Sequence, residues 1–113
     1  MAIFGNIDLG VTDLLTTDTA IIDIASIPDT QRYAITGLSI HNTGLASISV
    51  EIFDSPDLTS AAGKRIAKYD IAADSSESVV ELIGQGGKQN IIAVASALGL
   101  NTKTSITKYN AND

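Results

Sequence analysis

Ser47-Ile-Ser-Val-Glu-Ile-Phe53 decides the fold class. Ile48, Val50 and Ile52 alternate with Ser47, Ser49 and Glu51, the two-residue period of a strand with one buried face. Similar runs lie on either side. Tyr33-Ala-Ile-Thr-Gly-Leu-Ser-Ile40 precedes it. Arg65-Ile-Ala-Lys-Tyr69, Val79-Val-Glu-Leu-Ile83, Asn90-Ile-Ile-Ala-Val-Ala95 and Lys103-Thr-Ser-Ile-Thr-Lys-Tyr109 follow it. Each run closes on Gly, Asn, Asp or Ser. Short β-branched runs at near-even spacing predict an all-β sandwich or barrel. No window carries a capped 3.6-residue apolar period, so no long helix is expected.

The composition agrees. Sixteen of 113 residues are Ile, there is no Trp or Cys, and five are aromatic. Ile, Val and Thr are stiff at χ1 and pack well on a pleated sheet. A chain of this length makes one domain, here 1–113, burying roughly two-thirds of its unfolded surface. Without cysteine there is no disulfide framework and no thiolate zinc site, which fits a reducing compartment. Met-Ala-Ile-Phe-Gly-Asn-Ile-Asp8 has neither the basic region nor the apolar stretch of a signal peptide. The longest uncharged apolar run, 91–100, is about half a membrane span. These features predict a soluble, non-secreted chain without membrane contact. Net charge is −6, and the first 31 residues hold five Asp and no Lys or Arg. With no basic stripe to replace phosphate counterions, nucleic-acid binding is not expected.

Along the chain, residues 1–19 stand apart, being apolar but broken by Gly5, Gly10 and Asp. Two readings fit them. They form the first strand or two of the sandwich, or an extended arm that contacts a partner through Ile3, Phe4, Ile7, Leu9 and Leu14. Residues 20–25 read as a strand, and Ile27-Pro-Asp-Thr-Gln-Arg32 as a turn. On the next strand Thr36, Leu38, Ile40 and Asn42 share one face, and Tyr33, Ile35, Gly37 and Ser39 the other. His41-Asn-Thr-Gly44 ends it, predicting a hairpin with the strand from Ile48. Residues 54–64 are the longest loop, 72–78 a turn, 79–83 a strand and 84–89 a flexible connection. Residues 91–95 are apolar on both faces, as in a central strand. The predicted core is Ile35, Leu38, Ile40, Ile48, Val50, Ile52, Ile66, Val79, Leu82, Ile91, Val94 and Ile106.

Reactive motifs are sparse. Gly37-Leu-Ser-Ile-His41 starts like a nucleophile elbow, but His stands where the second Gly is needed. Ser39 and the only imidazole, His41, are neighbours on one strand face, yet a triad also needs an orienting carboxylate and an oxyanion hole. Gly84-Gln-Gly-Gly-Lys88 lacks the first Gly and the Ser or Thr of a phosphate loop, since Leu82 and Gln89 hold those places. Asp54, Asp57, Asp70, Asp74 and Glu77 supply hard oxygen ligands around two loops, without the spacing of a known calcium loop. Solvated turns are the default reading there, and a structural cation the alternative. No catalytic, cofactor or metal residue is assigned, and no enzyme activity or cofactor is expected.

Ile35-Thr-Gly-Leu-Ser-Ile-His-Asn-Thr-Gly44, Ile48-Ser-Val-Glu-Ile-Phe53, Ile71-Ala-Ala-Asp-Ser-Ser-Glu-Ser-Val-Val-Glu-Leu82 and Ile91-Ile-Ala-Val-Ala-Ser96 together resemble the small β-sandwich structural proteins of tailed bacteriophage virions. The resemblance runs from Tyr33 to Tyr109 and leaves out the first 32 residues. It implies a single antiparallel, jelly-roll-like sandwich of about eight strands, a usual count for that architecture. It also implies a non-enzymatic capsid cement or decoration protein, with a neck or tail component as alternative. The implied location is the virion, after synthesis in the host cytoplasm. Expected partners are a major capsid protein and the chain itself, as a closed oligomer with a trimer ahead of a dimer. A competing class is a carbohydrate- or ligand-binding sandwich, which would need an exposed aromatic platform from Phe4, Tyr33, Phe53, Tyr69 or Tyr109.

Overall fold

The chain runs as one long antiparallel ribbon that rolls into two facing sheets. The computed structural model describes residues 3–110, with the side chains of residues 3–5 outside that description. Among the described residues there are nine strands: β1 Ile3–Asp13, β2 Thr19–Ile22, β3 Gln31–Asn42, β4 Ile48–Ser55, β5 Lys64–Ile71, β6 Ser75–Ser78, β7 Gly86–Gly87, β8 Asn90–Ala95 and β9 Leu100–Asn110. The rungs of the ribbon are β1 with β9, β2 with β8, β3 with β6 and β4 with β5, all antiparallel. Rolling then sets β9 beside β3 and β8 beside β4. Sheet A has the order β1-β9-β3-β6, with β7 also on β3, and sheet B the order β2-β8-β4-β5. This is the double Greek key of a jelly roll, as the sequence predicted.

Between the sheets lies an aliphatic core that includes Ile35, Leu38, Ile40, Ile48, Val50, Ile52, Val79, Leu82, Ile91 and Ile106. Ile66 is only partly buried against it, and Val94 is partly exposed. On β8 the inward positions are Ile91, Ala93 and Ala95, opposite Asp54, Ile52 and Val50, so Val94 faces out beside Glu51. Leu14, Ile21, Ile22, Ile27, Tyr33, Ile71 and Leu100 complete the core.

Four local predictions are corrected. First, β3 and β4 do not form a hairpin, because they belong to different sheets. Alternation fixes which face of a strand is buried, not which sheet receives it. Asn42, 2% exposed, holds the crossing. Its amide donates to the Ala46 carbonyl at 2.8 Å and the Ile71 carbonyl at 2.9 Å, and its Oδ1 accepts from the Gly44 N–H. Second, the faces of β3 are not constant. A register shift between Ile35 and Gly37 turns Tyr33 and Ile35 inward together with Leu38, Ile40 and Asn42. Such a bulge changes the phase of alternation by one residue. Third, Ser75–Ser78 forms a strand on the edge of β3, and Val80–Leu82 is a 3₁₀ turn. Val79 and Leu82, three apart, plug the core together, the spacing at which 3₁₀ side chains eclipse. Fourth, Gly86–Gly87 pairs with β3 instead of remaining a free connection. At Gly86 (φ +147°) an added Cβ would sit 2.5 Å from the Tyr33 carbonyl oxygen and 2.6 Å from its ring. Only glycine fits that approach.

Candidate functional site

The outer face of sheet A carries a groove of about 510 Å³ crossing β1, β9, β3 and β6. Its floor exists because of the bulge at Gly37, where a Cβ would stand 2.9 Å from the Ser105 Oγ. Asn6, Thr36 and Ser105 form a hydrogen-bonded row beside it, in which the Thr36 hydroxyl bonds both neighbours. Ser39 and Lys103 are register partners on the floor. Asp8 accepts the Gly10 N–H at 2.8 Å and so fixes the bulge of β1 at the groove's rim. Val80 and Ile83, 70% and 53% exposed, make an apolar wall on the opposite side.

Ser39 Oγ lies 3.0 Å from His41 Nε2, the adjacency that their spacing predicts. The carboxylates considered as cation ligands are separated by the fold. Asp54 and Asp57 lie at the end of the sandwich where residues 56–63 join β4 to β5, while Asp70 and Asp74 flank the opposite end. No group of three or more His, Cys, Asp or Glu poised for a metal occurs among the described residues. Asp57 instead ties its own loop. Its Oδ1 accepts from the Thr59 hydroxyl at 2.7 Å, the Thr59 N–H at 2.8 Å and the Ser55 hydroxyl at 3.2 Å. The Thr59 bonds hold its carboxyl below the usual range. Burial pushes Asp54 up, and its Oδ1 has no hydrogen-bond partner among the described residues.

Among the described aromatic side chains, Tyr33 offers no exposed face for a platform. Tyr33 is fully buried in the core and donates its hydroxyl to the Gln89 carbonyl at 2.6 Å. Burial, with Asp54 nearby, raises that phenol. Tyr69 on β5 donates to Glu81, and partial burial plus that bond raise its pKa to about 12.

Of the five residues assigned to partner contact, Ile7, Leu9 and Leu14 have described side chains, and these three differ in exposure. Ile3 and Phe4 belong to β1, but their side chains lie outside the described residues. Ile7 is partly buried against the core, and Leu9 is 39% exposed at the bulge. Leu14 is 1% exposed and part of the protein's own core, a correction to its assignment. Its N–H bonds the Leu100 carbonyl at 2.9 Å, so this stretch closes the sandwich beyond the end of β1.

Two of the most exposed large apolar side chains, Leu45 and Leu98, lie where the sequence predicts turns. Leu45 (101% exposed), Leu98 (68%) and Leu15 (49%) sit on the loops 43–47, 96–99 and 14–18, all at one end of the sandwich. The loops are laced together there. The Thr43 N–H and hydroxyl both donate to the Gly99 carbonyl, and the Ala95 N–H donates to the Leu15 carbonyl. An apolar residue inside a turn was the signal, since ordinary turns are polar.

No protein-family model matches the chain. No curated protein matches it either. Among solved structures it is similar to a chain described as "Bacillus endospore appendages form a novel family of disulfide-linked pili". The TM-score is 0.58 at 17% identity, over 96% of this chain and 88% of that one. A chain described as "Crystal structure of PirA" gives TM-score 0.41 at 15% identity, over 94% and 91%. At such identities the first likeness is one of fold, and the second is weaker still. Of the resemblance to β-sandwich structural proteins, the first likeness carries the coarser part, a small all-β sandwich.

Proposed function

We propose that this chain is a non-enzymatic structural subunit that works by packing against copies of itself. The observation that carries this reading is the set of large apolar side chains left on the outside. Val11, Leu45, Val80, Ile83 and Leu98 are all more than half exposed, beside a core that is otherwise well closed. Val80 with Ile83 line one groove and Leu45 with Leu98 share one end, and exposed apolar patches of this kind mark contact surfaces for other proteins. The fold likeness to an appendage chain supports the same class and favours an extracellular polymer as the setting. Unlike the pili named there, this chain has no cysteine, so its contacts would be non-covalent. The other setting is a capsid cement protein seated on a major capsid protein, supported by the sequence resemblance of residues 33–109. No helix among the described residues is long and apolar enough to cross a membrane.

Electron microscopy and light scattering on the purified chain over a rising concentration series test this. Fibres fit the appendage setting, and closed oligomers fit the cement setting. A monomer at every concentration overturns self-packing as the function.

A further inference from the structure

We propose that the end of the sandwich formed by the loops 14–18, 43–47 and 96–99 is a self-association surface that packs against the same end of a second copy. The proposal rests on the self-packing function above and assigns it a place. Each loop presents one leucine; Leu45 stands wholly in solvent and Leu98 is about two-thirds exposed. The loops are not loose. Thr43 and Gly99 bond across the gap, and Gly44 comes so close that a Cβ on Gly99 would stand 3.9 Å from its Cα. Leu45 follows Gly44 and Leu98 precedes Gly99, so the two leucines are carried side by side on a braced base. A rigid apolar knob loses little conformational entropy on contact.

Charge excludes anionic partners. Loops 43–47 and 96–99 contain no ionisable side chain. The acids of this end are Asp18 in the 14–18 loop, bonded to the Ser60 N–H, and, around the loops, Asp13 at the end of β1, Asp70 near the end of β5 and Asp74 on the turn before β6. No Lys or Arg stands in any of these loops. A nucleic acid or an anionic bilayer would meet only repulsion here, and a membrane-surface contact usually needs a basic patch beside the apolar one. Between two copies of an acidic chain, a neutral centre is where close approach meets the least like-charge repulsion. A patch that packs on itself makes a two-fold contact that is closed at that end.

The test is analytical ultracentrifugation of the full chain at low and high salt, comparing it with the variant L45S/L98S and with V80S/I83S in the groove wall. These positions are exposed, so both variants should keep the wild-type circular dichroism spectrum. We expect the parent to dimerise more tightly as salt screens the acidic rim. L45S/L98S should weaken the dimer about tenfold or more, while V80S/I83S leaves it unchanged. Dimerisation untouched by L45S/L98S would overturn this interface and leave self-packing intact. A chain that is monomeric throughout would remove self-packing as well. Binding of the monomer to phosphatidylcholine vesicles, lost in L45S/L98S, would overturn the proposal in favour of a lipid partner.

Discussion

The two sheets turn opposite kinds of outer surface to the solvent. Sheet A shows Asn6, Thr36, Ser39, Lys103 and Ser105, a bare polar floor with apolar residues only at its margin. On sheet B the outer side around β8 is covered by the chain itself. Ile92 is 0% exposed yet does not belong to the cluster between the sheets. It stands across from Phe53 on β4 and Ala20 on β2. The 56–63 loop leaves β4 and bonds Asp18 beside β2 through the Ser60 N–H at 3.1 Å, so it must cross β8. Asn90 fixes its base by donating to the Asp57 carbonyl at 2.9 Å, while its Oδ1 accepts from the Ile24 N–H. Sheet B thus has a small second core under a lid of its own sequence, and sheet A remains available.

The largest effect should come from Ile92→Ala. If the loop truly roofs this residue, the change costs about 2–5 kcal/mol, as for a central core position, and chemical denaturation would read it. A loss no larger than that of a surface substitution would break the contrast between the sheets. Asn90→Ala comes next. It strands the Ile24 N–H and the Asp57 carbonyl together, and should lower stability by about 1–3 kcal/mol while raising amide exchange in the 56–63 loop. The third change goes the other way. The hydroxyl of Thr102 is fully buried on the inner side of sheet A without a partner among the described residues. Thr102→Val keeps the branched shape and removes that polar group, so the unfolding midpoint should rise by an amount worth about 1 kcal/mol. Substitutions on the open floor, Ser39→Ala and Lys103→Ala, should be smallest, within about 0.5 kcal/mol.

Acid titration sharpens the contrast at the 56–63 end. Asp54 has a raised folded pKa, so the folded state holds its proton longer than the unfolded chain does. Its contribution therefore favours folding at low pH and is lost as pH rises from the ordinary carboxyl value through the raised one. Asp57 is lowered, so its contribution is present above the ordinary value and fades as pH falls through the lowered one. Asp54→Asn should raise the melting temperature at neutral pH, whereas Asp57→Asn should lower it. Melting curves across the acid range that show the same sign for both would contradict this assignment.

The β-branched runs were enough to determine an all-β domain, because strand period and χ1 stiffness are local properties of the chain. Most of the core was legible for the same reason: Ile48, Val50 and Ile52 can bury only one face together. Alternation fails wherever something non-local intervenes. The bulge at Gly37 reverses the phase of β3, and the ladder with β3 makes a strand of the serines at 75–78, whose local chemistry suits a turn. Sheet assignment also lay beyond the sequence. That β4 crosses to the other sheet is fixed by its ladders with β5 and β8, and Asn42 braces the crossing by reaching the Ile71 carbonyl, 29 residues away. The candidate surfaces were the least legible part. Leu14 and Leu45 are the same residue type in equally polar surroundings, but one closes the core and the other stands in solvent. Only the rolling of the ribbon, which sets the 43–47 and 96–99 loops side by side beyond the ends of the strands, decides between them.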